Sequence, residues 1–444
     1  MYSANNECRN PENAVSRQRH RSIGMKKSIV SLSAGSLSAV LLCAVAMGQG
    51  NLRAFSPSGL TTSSAESIER GTSWLQQAKL TASDGQPNDQ FGFSSASGGD
   101  TVVVGMEYGN RSEVYLFVKP ADGWGDMTET AKLTPSDGPI SNFGYSVAVS
   151  GDTVIVGAPG ADGVYVYVKP PSGWSDMTET AKLTASGSNG YAVAISGSTV
   201  VSGSAFNSGQ DFLFVKPPGG WKTTSNPTTT LTTPDFGNYV CGTCVSVSGD
   251  TVAVGAPGNF IGEGTVYVFA KPKTGWPQDM NPTATLIASD AALYDELGLS
   301  VSVNRNTVVA GAPYHARVGT IYVFEKPISG WVNMTQTAKL TARDGSATGI
   351  AVGLSASGNT IVAGSPLANV GTNQAQGATY IFAKPRNGWE TTKKFNAKLT
   401  ASDGAENNQF GASVGISGVT TVVGAPLATV NVNYAQGAAY VFRK

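Results

Sequence analysis

From Trp74 to Lys444 the chain alternates short apolar runs with clusters of Gly, Ser, Asp and Pro. The clearest stretch runs from Phe143 to Pro159, where Ser146-Val147-Ala148-Val149-Ser150 and Thr153-Val154-Ile155-Val156-Gly157 flank Gly151-Asp152. Runs of this length, rich in β-branched residues and bounded by turn formers, read as strands. The Ser-Gly-Asp between them supplies a residue able to take positive φ, as a tight hairpin needs. Their nearly continuous apolar character predicts strands buried on both faces.

The same pattern recurs. Leu80, Leu133, Leu183, Leu231, Leu286, Leu340 and Leu399 head seven copies spaced 48 to 59 residues apart. The best-kept form reads Ala-Lys-Leu-Thr-Ala-Ser-Asp-Gly, a loop, Phe-Gly, two strands, Gly-Ala-Pro, a variable loop, Gly-x-x-Tyr-Val-Phe-x-Lys-Pro and Gly-Trp. In the second copy strand A covers 146–150, B 153–157, C 164–169 and D 179–185. Four-stranded units of this length, repeated in series, predict an all-β fold: a seven-bladed β-propeller of four-stranded antiparallel blades. The body opens on a D-type run, 75–82, and closes on a C-type run, 438–443. Pairing these two inside the last blade closes the ring and removes two exposed edges. Six Trp lie nine or ten residues before the D-strand Leu, and Trp74 lies six before Leu80. One Trp per blade at one register reads as a plug between blades rather than a stacking platform.

The N-terminal region has a different composition. Residues 1–24 are polar and basic and read as a non-translated or disordered leader, with Met25 as the expected start. Residues 25–49 carry Lys26 and Lys27, an apolar run and a small-residue site at Ala44-Val45-Ala46, the pattern of a signal peptide. An uncleaved membrane anchor is the alternative. Residues 50–73 are rich in Ser, Thr and Gly and read as a flexible tether, leaving 74–444 for the propeller. Localisation is therefore expected to be secreted, extracellular or periplasmic, or membrane-anchored in the alternative.

Thirty basic residues balance thirty acidic ones, and only 14% of residues are charged. A nucleic-acid binder needs a basic surface to displace counterions, so that partner class is set aside.

The paired Phe-Gly and Gly-Ala-Pro segments resemble the FG-GAP repeat of the integrin α-subunit head and, more closely, of bacterial secreted FG-GAP proteins. Phe143-Gly144 with Gly157-Ala158-Pro159 fits fully, as does Phe410-Gly411 with Gly424-Ala425-Pro426. The first copy keeps Phe91-Gly92 but has Gly105-Met106-Glu107, and the third has Asn189-Gly190 and Gly203-Ser204-Ala205. The resemblance implies a propeller and an adhesion or binding role. Integrin heads hold calcium in long acidic A-to-B loops, whereas here those connections are short, as at Ser150-Gly151-Asp152 and Ser248-Gly249-Asp250. Such turns cannot offer the six to eight oxygens that Ca²⁺ takes. No cofactor is expected, and calcium would need another site.

Propeller topology puts the D-to-A and B-to-C connections on one face, where variable sequence and binding are expected. The longest B-to-C loops, 367–377 and 427–437, share Ala-Gln-Gly. They offer Asn369, Asn373, Gln374, Asn431, Asn433 and Tyr434 as ligand-binding candidates, joined by Tyr314 and His315. His315 is read as a surface residue. Asp84, Asp89 and Asp403 in the D-to-A loops are turn formers first and weak metal candidates second. Cys241 and Cys244, after export, could form a local disulfide.

No residue set reads as catalytic. The leading expectation is a secreted or cell-surface module that binds a protein or glycan partner, as a monomer. The alternatives are a carbohydrate-active lyase or hydrolase with carboxylates near the axis, for which Asp162 and Glu263 are the pair to examine, and a structural envelope or matrix protein.

Overall fold

The computed structural model describes residues 73–444 except 107–111, 188, 205–209, 235–243, 259–261, 345 and 356. The segments read from sequence as leader and signal peptide, and all but the end of the one read as a tether, lie outside the described residues.

The described chain forms seven antiparallel sheets, each ordered A-B-C-D from the inside outwards. In the second blade strand A is Ser146–Ser150, B is Thr153–Ala158, C is Gly163–Val168 and D is Ala181–Thr184. Ring closure follows the expected register. Leu75–Thr81 pairs antiparallel with Ala438–Arg443, with Leu75 opposite Arg443 and Leu80 opposite Ala439. Among the described residues no helix is long and apolar enough to cross a membrane; the helices are two 3₁₀ turns, Pro159–Ala161 and His315–Arg317.

Strand B is buried along its whole length in the second blade, but strand A is half-exposed there. The expectation that both are buried on both faces is therefore corrected for strand A. The inner strand turns one face to the axial channel, where seven strands cannot close the space between them.

The core is a ring of seven clusters, each shared by two neighbouring blades. Between blades 7 and 1, Leu80, Val422 and Val441 meet Phe91, Val104 and Phe117. Trp331 enters the cluster between blades 4 and 5, and Trp389 that between blades 5 and 6. Both are buried, so these indoles fill gaps between blades rather than form a platform.

The outer edge has a feature beyond the four-strand plan. Met127–Thr128, in the C-to-D linker of blade 1, runs parallel to Leu80–Thr81 of blade 7. Met177–Thr178 does the same against Leu133–Thr134. The side chain of Glu129 then accepts both the N–H (2.9 Å) and the hydroxyl (2.5 Å) of Ser83. Each of these linkers reaches back one blade, which covers D-strand groups that would otherwise form an open edge.

Candidate functional site

The two long B-to-C loops fold as hairpins. Val430 and Asn433 exchange backbone hydrogen bonds of 3.2 and 3.0 Å, and Val370 and Asn373 do the same at 3.1 Å. Each hairpin is joined to the D-to-A loop of the next blade. Asn88, Gln90 and Phe91 donate their N–H groups to the carbonyls of Tyr434, Ala435 and Gln436. Asn407, Gln409 and Phe410 do likewise to Gln374, Ala375 and Gln376. The loop face is thus stitched, and its shape is set before any ligand arrives.

That stitching divides the candidate ligand residues. The Asn373 amide donates to Gln376 Oε1 (2.8 Å) and the Gly404 carbonyl (3.3 Å). The Asn433 amide donates to Gln436 Oε1 (2.9 Å) and the Gly85 carbonyl (3.0 Å). Asn369 Oδ1 accepts the Ala375 N–H at 3.1 Å. These three hold the hairpins together. Gln374, Asn431 and Tyr434 point outward from exposed positions, with Tyr434 65% exposed and its neighbour Val432 92% exposed. Val432 is an exposed apolar residue beside these candidates that a search for polar groups passed over; its place at a hairpin tip was the available signal.

The D-to-A aspartates serve the ring. Asp84 accepts from Lys132 Nζ (2.5 Å) and the Tyr115 hydroxyl (3.0 Å). Asp137 takes Lys182 and Tyr165 at 2.5 and 2.8 Å, and Asp403 takes Lys79 and Tyr440 at 2.5 and 2.8 Å. In each set the lysine also sits over the tyrosine ring, 5.0 Å from its centroid for Lys182 and Tyr165. The hydrogen bonds from Lys182 and Tyr165 hold the Asp137 carboxyl below the usual carboxylate range, while burial pushes the Tyr165 hydroxyl up to about 12. Asp89 is buried, and its Oδ2 accepts the Gln86 N–H at 2.6 Å. Among the described residues no group of three or more His, Cys, Asp and Glu is placed to hold a metal ion.

His315 is buried, which corrects its reading as a surface residue. Its Nδ1 lies 2.7 Å from Asp295 Oδ2 and its Nε2 2.8 Å from Lys339 Nζ. An ammonium can only donate, so Nε2 accepts and Nδ1 carries the proton towards Asp295. Lys339 in turn bonds Asp290, which also accepts the Tyr322 hydroxyl at 2.9 Å. The histidine extends the Lys–Asp–Tyr set of blade 5 inward, and Tyr314 beside it is half-buried.

The third blade departs from the others. It places Gly187, Phe212 and Thr230 where five of the other blades have Asp, Tyr and Lys; blade 4 keeps the Asp and Tyr positions but has Thr285 in place of the lysine. Its strand C carries Asp211, fully buried, with Oδ1 accepting the Ser204 N–H (3.0 Å) and Oδ2 left without a partner. Burial pushes this carboxyl up to about 7. Cys244 stands as a free thiol, its Sγ 3.0 Å from the Val301 N–H, and burial pushes it up to about 11. The disulfide partner considered for it, Cys241, lies outside the described residues. Asp162 and Glu263 are both exposed, and neither sits in an apolar pocket.

Against known families, the FG-GAP repeat matches residues 74–117, 127–168, 281–324 and 394–442. No curated protein matches the chain.

Proposed function

We propose that this chain, an FG-GAP repeat β-propeller, is an exported binding module that takes a protein or glycan on its stitched loop face. A propeller of FG-GAP repeats is a module of the binding and adhesion type. The finer reading rests on one observation: the hairpin at 427–437 holds Val432 and Tyr434 out to solvent on a base fastened to the next blade. Large side chains in water on a rigid support lose little freedom when a partner covers them. Tyrosine adds a hydroxyl and a flat apolar face, which suits both protein and sugar surfaces. Export fits the apolar segment within 25–49.

The test is a panel of glycans and surface proteins probed with the full chain and with a Val432→Ser, Tyr434→Ser double variant. Binding that falls about tenfold or more in the variant supports the reading. Equal binding by both proteins contradicts it.

A further inference from the structure

The opposite face, built from the A-to-B turns, carries a second anomaly. Every strand C ends in a lysine whose backbone N–H bonds to its own A-to-B turn, as Lys119 does to Asp100 and Lys326 to Asn306. In blades 1, 2 and 4 the turn residue is an aspartate that also faces the ammonium: Asp100, Asp152 and Asp250 lie 3.4, 3.9 and 3.6 Å from Lys119, Lys169 and Lys271. Blade 5 has Asn306 in that place, and Lys326 has no carboxylate partner among the described residues. In blade 6, Lys384 turns instead to Glu325 at 2.6 Å.

The same blade-5 turn holds Arg305 in the left-handed region, at φ 30. The other six turns place a glycine there, as with Gly249 and Gly358. A side chain in that conformation carries strain, and an observed outlier is a pointer to function. Neighbouring turns are stitched by serine: Gly197 donates to Ser150 Oγ (3.1 Å), Gly249 to Ser196 Oγ (3.1 Å) and Gly99 to Ser417 Oγ (3.0 Å). At Arg305 the face opens instead into a cavity of about 930 Å³. Inner strands of five blades line it, with aliphatic side chains such as Val303 and Leu354 set among more numerous polar groups that include Arg305, Lys326 and the Lys384–Glu325 pair.

We propose that this cavity binds an organic anion: an aliphatic body ending in a carboxylate. The volume lies in the range of small-ligand sites. The aliphatic side chains in the lining, Ile195, Val247, Val303, Leu354 and Ile416, favour a small apolar body. Arg305 offers a planar fork that matches a carboxylate, and Lys326 adds a second cation, neither with a carboxylate partner among the described residues. Glu325 beside them disfavours a multiply charged group. A free organic acid and the C-terminus of a peptide share this chemistry.

The experiment is calorimetric titration of the full chain. N-acetyl-leucine is compared with N-acetyl-leucine methylamide, and a leucine-ending peptide acid with its amide. The two acids should bind and the two amides should not. Binding of both acids, or of the small acid alone, assigns the site to free organic acids; binding of the peptide acid alone assigns it to chain termini. Arg305→Gly restores the residue used in the other six turns, so it should melt at the same or a higher temperature and bind about tenfold or more weakly. Amides that bind as well as acids, an Arg305→Gly protein with unchanged affinity, or no heat with any probe would overturn the proposal. None of these results touches the loop-face reading, which is read out by variants on the other side of the disc.

Discussion

Gly424 of the last blade lies directly against the carbonyl oxygen of Gly92 in the first, where a Cβ would stand 1.9 Å from that oxygen. The relationship repeats around the ring. Gly105 faces the Gly144 carbonyl at 2.2 Å and Gly255 faces that of Gly298 at 1.9 Å, measured from the same added atom. Within a blade the Phe-Gly glycine also donates its N–H to the Gly-Ala-Pro glycine, as Gly411 does to Gly424 at 2.9 Å. The two halves of the repeat motif are therefore the two sides of a blade-to-blade junction.

Gly424→Ala must push one backbone off another, and we expect it to destabilise the protein by more than about 3 kcal/mol. Gly418→Ala, at positive φ but with open space around it, should cost about 1 kcal/mol. Urea unfolding of the two variants side by side measures the difference. Similar losses in both would mean that backbone conformation, not close approach, requires glycine at Gly424.

The Lys–Asp–Tyr sets should couple across blades. In blade 7, Lys79→Met, Tyr440→Phe and the double variant form a cycle around Asp403. We expect each single change to cost about 1 kcal/mol and the coupling to be about 0.5 kcal/mol, since the pair is partly exposed to solvent. Additive losses within error would show that the two contacts on Asp403 act independently.

Asp211 should make stability fall across the weakly acidic range. Its folded-state pKa, about 7, lies above the unfolded value, so the folded state binds more protons between about pH 4 and 7. Stability from this group therefore falls as pH rises through that window. Asp211→Asn should remove the fall and, at pH 8, recover on the order of 4 kcal/mol. A profile unchanged by the substitution would show that Asp211 ionises freely. On the acid side the sign reverses: the Asp137 carboxyl is held below its usual range, so its contribution is present above the unfolded pKa and lost as pH falls through the folded one.

Removal of divalent cations should leave the fold unchanged. Asp84 and Asp403 are already neutralised by Lys132 and Lys79, which leaves those oxygens poorly placed to attract a cation. Melting of the full chain in EDTA and in millimolar calcium should agree within about 1 °C; a clear rise with calcium would reveal a site that binds the folded state.

The architecture was legible because a repeat states its own period. Blade count, the closing pair 75–81 with 438–443 and the Trp register all follow from comparing copies along one line of sequence, whereas the extra outer strand at the edge of four blades does not. The contacts between copies were harder to see. Asp84, Tyr115 and Lys132 lie far apart in sequence, and an Asp-Gly pair reads first as a turn. A signal was present nonetheless: the third blade loses aspartate, tyrosine and lysine together, at Gly187, Phe212 and Thr230. His315 was misplaced because a lone histidine in a loop carries no mark of the partners that bury it, here Asp295 and Lys339. Arg305 passed unnoticed for a related reason. Its turn differs from its six counterparts only by comparison, and the cavity beside it exists only once five inner strands meet.

The most direct test of the binding account is hydrogen exchange on the full chain, alone and with the tightest binder from the glycan and protein panel. Protection is expected at 427–437 and 367–377 and in the joined segment 88–91, with the A-to-B turns unchanged. Protection confined to the A-to-B turns, or none on the hairpins, would contradict a loop-face binding module.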